Sequence, residues 1–154
     1  MIRRIALVAP PWYPVPPRGY GGIELVVDLL ARELRALGHE VVLFAAEDSA
    51  AASHPICVRD WAAYLGGPQE RVRELAYGAL VLQALRRAEP VDVIHDHCGM
   101  GTLLAAAMSQ RAPVVHTVHG TIGDAERAFL GSLPASAGLV AISEAQRATA
   151  LSLP

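Results

Sequence analysis

Ile5-Ala6-Leu7-Val8-Ala9, then Pro10-Pro11-Trp12-Tyr13-Pro14-Val15-Pro16-Pro17-Arg18-Gly19-Tyr20-Gly21-Gly22, then Ile23-Glu24: the chain opens with an apolar strand, a long proline-rich loop and the first turn of an amphipathic helix. A glycine pair at a strand-to-helix turn lets backbone N–H groups approach a ligand where the helix dipole favours negative charge, and a phosphate suits that place. The loop is too long for the tight dinucleotide turn. Counting from Gly19 and Gly21, Glu24 stands where G-x-G-x-x-G requires its third glycine, so an ordinary NAD site is disfavoured.

Working outward, apolar runs alternate with helical periodicity. Ile23, Val26, Val27, Leu30, Leu34 and Leu37 recur at helical spacing and stop at Gly38-His39. Glu40 to Ala45 then reads as a second strand, Ile56-Cys57-Val58 as a short third, and residues from about Gln69 to Ala88 as a long helix closed by Pro90. Val91 to His95 is a buried strand, Met100 to Ser109 a short helix, Pro113 to Val118 the next strand and Asp124 to Leu130 a further helix. Gly138 to Ile142 is the last strand, with Ser143 as N-cap of the terminal helix. Strands in such alternation with helices imply a doubly wound, Rossmann-like α/β domain with a parallel sheet, and 154 residues suffice for one such domain, 1–154. In these sheets ligands bind beyond the carboxyl ends of the strands. That rule gathers Gly21-Gly22, His95-Asp96-His97, His119-Gly120-Thr121 and Ser143 on one rim.

Bulk properties narrow the function. The net charge of −2, with no basic cluster, gives no reason to expect nucleic acid as a partner. No apolar run approaches the roughly 18 residues of a membrane span, and the first residues lack the pattern of an export signal. Two cysteines, Cys57 and Cys98, make no disulfide framework, so a soluble, cytoplasmic protein is expected. All 13 cationic residues are arginine, which excludes Schiff-base and lysine-dependent P-loop chemistry for this chain.

Four of the six histidines fall between 95 and 119. His95 and His97 would share a face if the strand continued, and His-x-His is a legitimate metal pattern that Cys98 keeps alive. The pair lacks a further ligand at the right spacing, so hydrogen bonding or contact with an organic ligand is the favoured reading, with no metal and no cofactor. At His119-Gly120 a neutral imidazole at a strand end can bond a hydroxyl, and the glycine admits substrate to the backbone. His116, within the strand, reads as a satisfied core residue. Glu24 is either a ligand neighbour or a helix-start residue favoured by the dipole. Glu47 is weakly similar to the ribose-binding acid of dinucleotide folds. Trp12, Tyr13 and Tyr20 can stack on a sugar ring or a lipid tail, or simply anchor their loop. No nucleophile elbow appears.

Together, Gly21-Gly22-Ile23-Glu24 with Leu34 and Gly38-His39-Glu40-Val41, His95-Asp96-His97, Pro113 to Gly120, and Ala141-Ile142-Ser143-Glu144-Ala145-Gln146 resemble the N-terminal half of retaining GT-B glycosyltransferases of the family 4 type, from about Arg4 to Gln146. The order and spacing of these motifs carry the resemblance. It implies two Rossmann-like domains facing across a cleft, the N-terminal one holding a hydroxyl acceptor and the C-terminal one a nucleotide-sugar. It further implies that Gly21 and Gly22 approach the donor phosphates, that His119 contacts the donor sugar at the reaction centre, and that Arg18, Asp96, His97, Thr121 and Ser143 line the acceptor side, with Glu24 and Gly120 beside them. Hexosyl transfer with retention and without bound metal is the implied chemistry, and a lipid acceptor would bring peripheral membrane association. The family's Glu-x7-Glu motif and basic pair belong to the C-terminal, donor-binding domain and are absent here, so the chain is expected to be inactive alone. A non-catalytic binding or assembly module of the same fold is one alternative. A metal-dependent hydrolase built on His95, Asp96, His97 and His119 is the other.

Overall fold

The computed structural model describes residues 1–50, 52–58, 60–109, 112–134 and 137–150. Among them the chain runs β1 (Arg4–Val8), α1 (Gly22–Ala36), β2 (Glu40–Ala46), β3 (His54–Ile56), a 3-10 turn (Trp61–Tyr64) and α2 (Glu70–Arg87). It continues β4 (Val93–Asp96), α3 (Met100–Ser109), β5 (Val114–Val118), α4 (Asp124–Gly131), β6 (Ala137–Ala141) and α5 (Glu144–Ala150). The strands form one parallel sheet in the order β3-β2-β1-β4-β5-β6, the doubly wound arrangement expected from the alternation. The order reverses between β1 and β4, so the loops leaving these two strands open a crevice at their carboxyl ends.

The strand period of two sorts the core onto two faces. Ile5, Leu7 and Ala9 turn with Leu43 toward Val27 and Ala31 of α1, while Ala6, Val8, Phe44 and Ile94 turn toward Tyr77, Val81 and Leu85 of α2 and Leu103 and Ala106 of α3. The long α2, which carries the chain from β3 across to β4, packs closely on α3. Gly78 faces the Gly101 carbonyl, and a Cβ on Gly101 would lie 2.8 Å from the Glu74 carbonyl oxygen, so both positions need glycine for the helices to approach. The Tyr77 hydroxyl donates to the Ala9 carbonyl at 2.9 Å, which ties α2 to the end of β1 and hence to the crevice.

The third strand begins earlier than the apolar pattern predicts, at His54 rather than Ile56. Pro55 argues against a strand in isolation, yet β3 is an edge strand, where a missing N–H is tolerated. Its residues register against Phe44, Ala45 and Ala46, and the His54 ring stacks on Phe44 at a centroid distance of 4.7 Å. Ser143 caps α5 as its sequence suggests, accepting the Gln146 N–H at 3.1 Å. No helix among the described residues is long and apolar enough to cross a membrane.

Candidate functional site

A cleft of about 610 Å³ lies at the carboxyl ends of β1, β4 and β5. Gly22 and Ile23 bring the start of α1 to it, and Trp12, Tyr13 and Tyr20 bring the proline-rich loop. His97 to Met100 follow β4, and Val118 to Thr121 follow β5. The first-strand, fourth-strand and fifth-strand motifs expected on one rim therefore share one cavity.

Each assigned residue has a distinct place in it. Gly21 is the N-cap of α1 with φ 146°, a conformation that favours glycine, and its carbonyl accepts the Leu25 N–H at 2.9 Å. A Cβ there would also crowd Pro17 at 2.7 Å. Gly22 opens the helix into the cleft with nothing above its Cα, so its N–H end is accessible to an anion. Glu24 lines the same wall but is buried. Its carboxyl is pushed above the usual range by burial, against the pull of backbone N–H groups that include Tyr13, so it holds the loop onto α1. Arg18 lies exposed in the loop and is not among the lining residues.

The histidines divide by face. Asp96 is fully buried and accepts from His116 Nδ1 at 2.6 Å and, at 3.4 Å, from the backbone N–H of Cys98. His116 is thus the satisfied core residue its strand position predicts. On the other face, the His95 ring lies 4.2 Å from that of His97, and His97 Nδ1 stands 3.1 Å from His119 Nε2. His95 Nε2 pairs with the Thr117 hydroxyl at 2.9 Å. Burial lowers the pKa of all three, with their neighbouring imidazoles adding to it, and His97 falls to about 3. At neutral pH these rings are uncharged hydrogen-bonding groups. His119 is half-buried and lines the cleft, and Gly120 has open space above its Cα.

Thr121 lies on the cleft and also borders a shallower hollow beside it, with Ser143 and Gln146. Gln146 Nε2 donates to the Val118 and Gly120 carbonyls at 2.9 and 2.8 Å, which fixes the loop that carries His119 to the start of α5. Among the described residues no group of three or more His, Cys, Asp or Glu is arranged to hold a metal ion. Glu47 sits away from the cleft, in a neighbouring cavity of about 630 Å³ with Trp12, Asp48, Asp60 and Trp61.

Sequence reasoning missed the wall built by α2. Arg71 and Glu74 line the cleft, Arg71 being the one arginine among its described lining residues. The Glu74 carboxyl is raised by burial and by Glu70 and Asp96. Charged residues in the first turns of a long helix carry no local signal of a site, because only the crossover from β3 to β4 brings them to it.

A family model described as Glycosyltransferase Family 4 matches residues 20–153. Among curated proteins nothing matches the chain. Among solved structures the chain is similar to AviGT4, a glycosyltransferase involved in avilamycin A biosynthesis, at 25% identity and a TM-score of 0.49. The likeness covers 89% of this chain and 41% of that one, so the chain spans less than half the length of that relative.

Proposed function

The chain belongs to glycosyltransferase family 4, and from that premise we propose that residues 1–154 form the acceptor-side, N-terminal domain of a retaining GT-B enzyme that moves a hexosyl group from a nucleotide-sugar to a hydroxyl acceptor. The observation that carries this reading is the single cleft into which the open α1 N-terminus at Gly22 and the neutral His119 both face. The first provides N–H groups for a phosphate and the second a hydrogen-bonding group for a sugar, without the cost of burying a cation. Gly21 supports the first role through its backbone. Gly120, Thr121 and Ser143 are assigned to the acceptor side of the rim, with the buried His97 supporting His119 from behind. Asp96 and Glu24 act from behind it, being buried, and Arg18 meets a ligand only at the outer edge of the loop.

The same cleft accounts for the expected inactivity of the chain alone. Transfer requires the donor to be oriented against the acceptor, and that orientation is a large part of the barrier reduction. Arg71 is the only arginine among the described lining residues of the cleft, so this domain offers a pyrophosphate a single cation there. Donor affinity should therefore be weak. The test is calorimetric titration of UDP-, GDP- and ADP-sugars into the chain. Weak or unmeasurable binding of all three is expected, and tight binding of any would assign the donor site to this domain instead. An acceptor that binds but is never glycosylated, even with a donor-binding domain supplied, would favour the non-catalytic module.

A further inference from the structure

His119 has two ring nitrogens, and the structure distinguishes them. Its Nε2 is 3.1 Å from His97 Nδ1, so one of these two atoms carries a proton and the other accepts it. The remaining nitrogen of His97, Nε2, is buried with no hydrogen-bond partner among the described residues, and the whole side chain is only 2% exposed. A buried N–H with no acceptor is a rarer arrangement in folded proteins than a buried acceptor with no donor. The proton of His97 therefore belongs on Nδ1, from which it is donated to His119. The ring cannot turn over easily to exchange its nitrogens, because His95 packs against it at a centroid distance of 4.2 Å and is itself held by the Thr117 hydroxyl.

We propose that His97 is a positioning residue that locks His119 in its Nδ1–H tautomer, so that the nitrogen left free on this cleft-lining residue is a hydrogen-bond donor and not a lone pair. The inference deepens the assignment of His119 to the transfer site and rests on that reading for its functional meaning. A donor at this point requires an acceptor oxygen opposite it, which a sugar hydroxyl, a carbonyl or a phosphate oxygen supplies. It disfavours an ammonium or an amide N–H at the same place. Burial supports the arrangement by keeping both rings neutral, since a protonated His119 would donate from both nitrogens and have no use for His97 as a donor.

The experiment is long-range ¹H–¹⁵N correlation on the histidine-labelled chain at neutral pH, which reads the protonated nitrogen of each imidazole directly and needs neither donor nor turnover. The expected result is His119 protonated on Nδ1 and His97 protonated on Nδ1. Two variants sharpen it. In His97→Asn the amide NH2 replaces the Nδ1–H donor and His119 keeps its tautomer. In His97→Phe the donor is lost and His119 shifts to the Nε2–H form that a free histidine prefers. A wild-type His119 protonated on Nε2, or on both nitrogens, would overturn the proposal whether or not either variant folds. Loss of the transfer role would show separately, as unchanged turnover in His119→Ala, so the two failures are distinguishable.

Discussion

His116 and His119 stand three residues apart at the end of β5 and border the same cleft, yet their partners differ. His116 is buried where it borders the cleft and is paired with a carboxylate, Asp96, at 2.6 Å. His119 stands on the cleft and is paired with another imidazole, His97, at 3.1 Å. The strand period of two puts Asp96 on one face of the sheet and the rings of His95 and His97 on the other, so one His-Asp-His tripeptide supplies both partners. The comparison teaches that a histidine's role here is set by what its other nitrogen touches. A carboxylate partner makes a structural link between β4 and β5, and a neutral imidazole partner leaves an uncharged group for a ligand.

The sharpest way to break the comparison is to remove His116. His116→Ala leaves the fully buried Asp96 carboxylate without its closest partner, and the expected loss of stability in denaturant melts is about 3 kcal/mol or more. A loss below about 0.5 kcal/mol, the usual size of a surface change, would show that the pair is not a structural link. His119→Ala should behave the other way. With a donor-binding domain present, turnover should fall by about 10²-fold or more, as when one transition-state donor is removed, with little change in melting behaviour. Turnover near that of the wild type would remove His119 from the reaction centre.

Acid should act on the cleft-side rings. The folded pKa of His97 is about 3 against an ordinary 6.5, so the unfolded chain binds more protons in between. The stability that goes with the neutral ring is complete above pH 6.5 and is lost progressively as pH falls from 6.5 toward 3, by up to about 2 kcal/mol at pH 5. Glu24 and Glu74, whose carboxyls are raised, pull the other way over part of that range. Comparing wild type with His97→Asn at pH 7.5 and pH 5 isolates the histidine. Equal pH dependence in both would mean that His97 is not the group held neutral. The smallest effect belongs to metal removal. Chelation should leave the melting temperature unchanged and elemental analysis should find substoichiometric zinc, manganese and iron. One tightly held equivalent, lost in His97→Ala, would turn the ring cluster into a metal site.

Much of the architecture was legible because it rests on local patterns. The six strands, the helix at Met100–Ser109 and the cap at Ser143 follow from apolar runs, helical spacing and turn chemistry. Edge strand β3 was displaced by two residues because its pairing with β2, and not its own composition, decides where it starts. The placing of His119, Gly120 and Thr121 on the cleft was legible from their position after β5, and that of Gly22 from its place at the start of α1. The Asp96–His116 bond was not, since it depends on the register between β4 and β5, a relation between segments 20 residues apart. The burial of Glu24 beneath the loop, and the arrival of Arg71 and Glu74 from α2, are likewise products of packing between distant segments.

The proposed function puts the acceptor half of a transfer site on this domain and the donor half on another. The most direct measurement is a transfer assay with nucleotide-sugars, run on the chain alone and again after a family 4 donor-binding domain is added as a second polypeptide. No transfer alone and measurable transfer on addition, abolished by His119→Ala, is the expected result. Sugar transfer by the 154 residues unaided would contradict it.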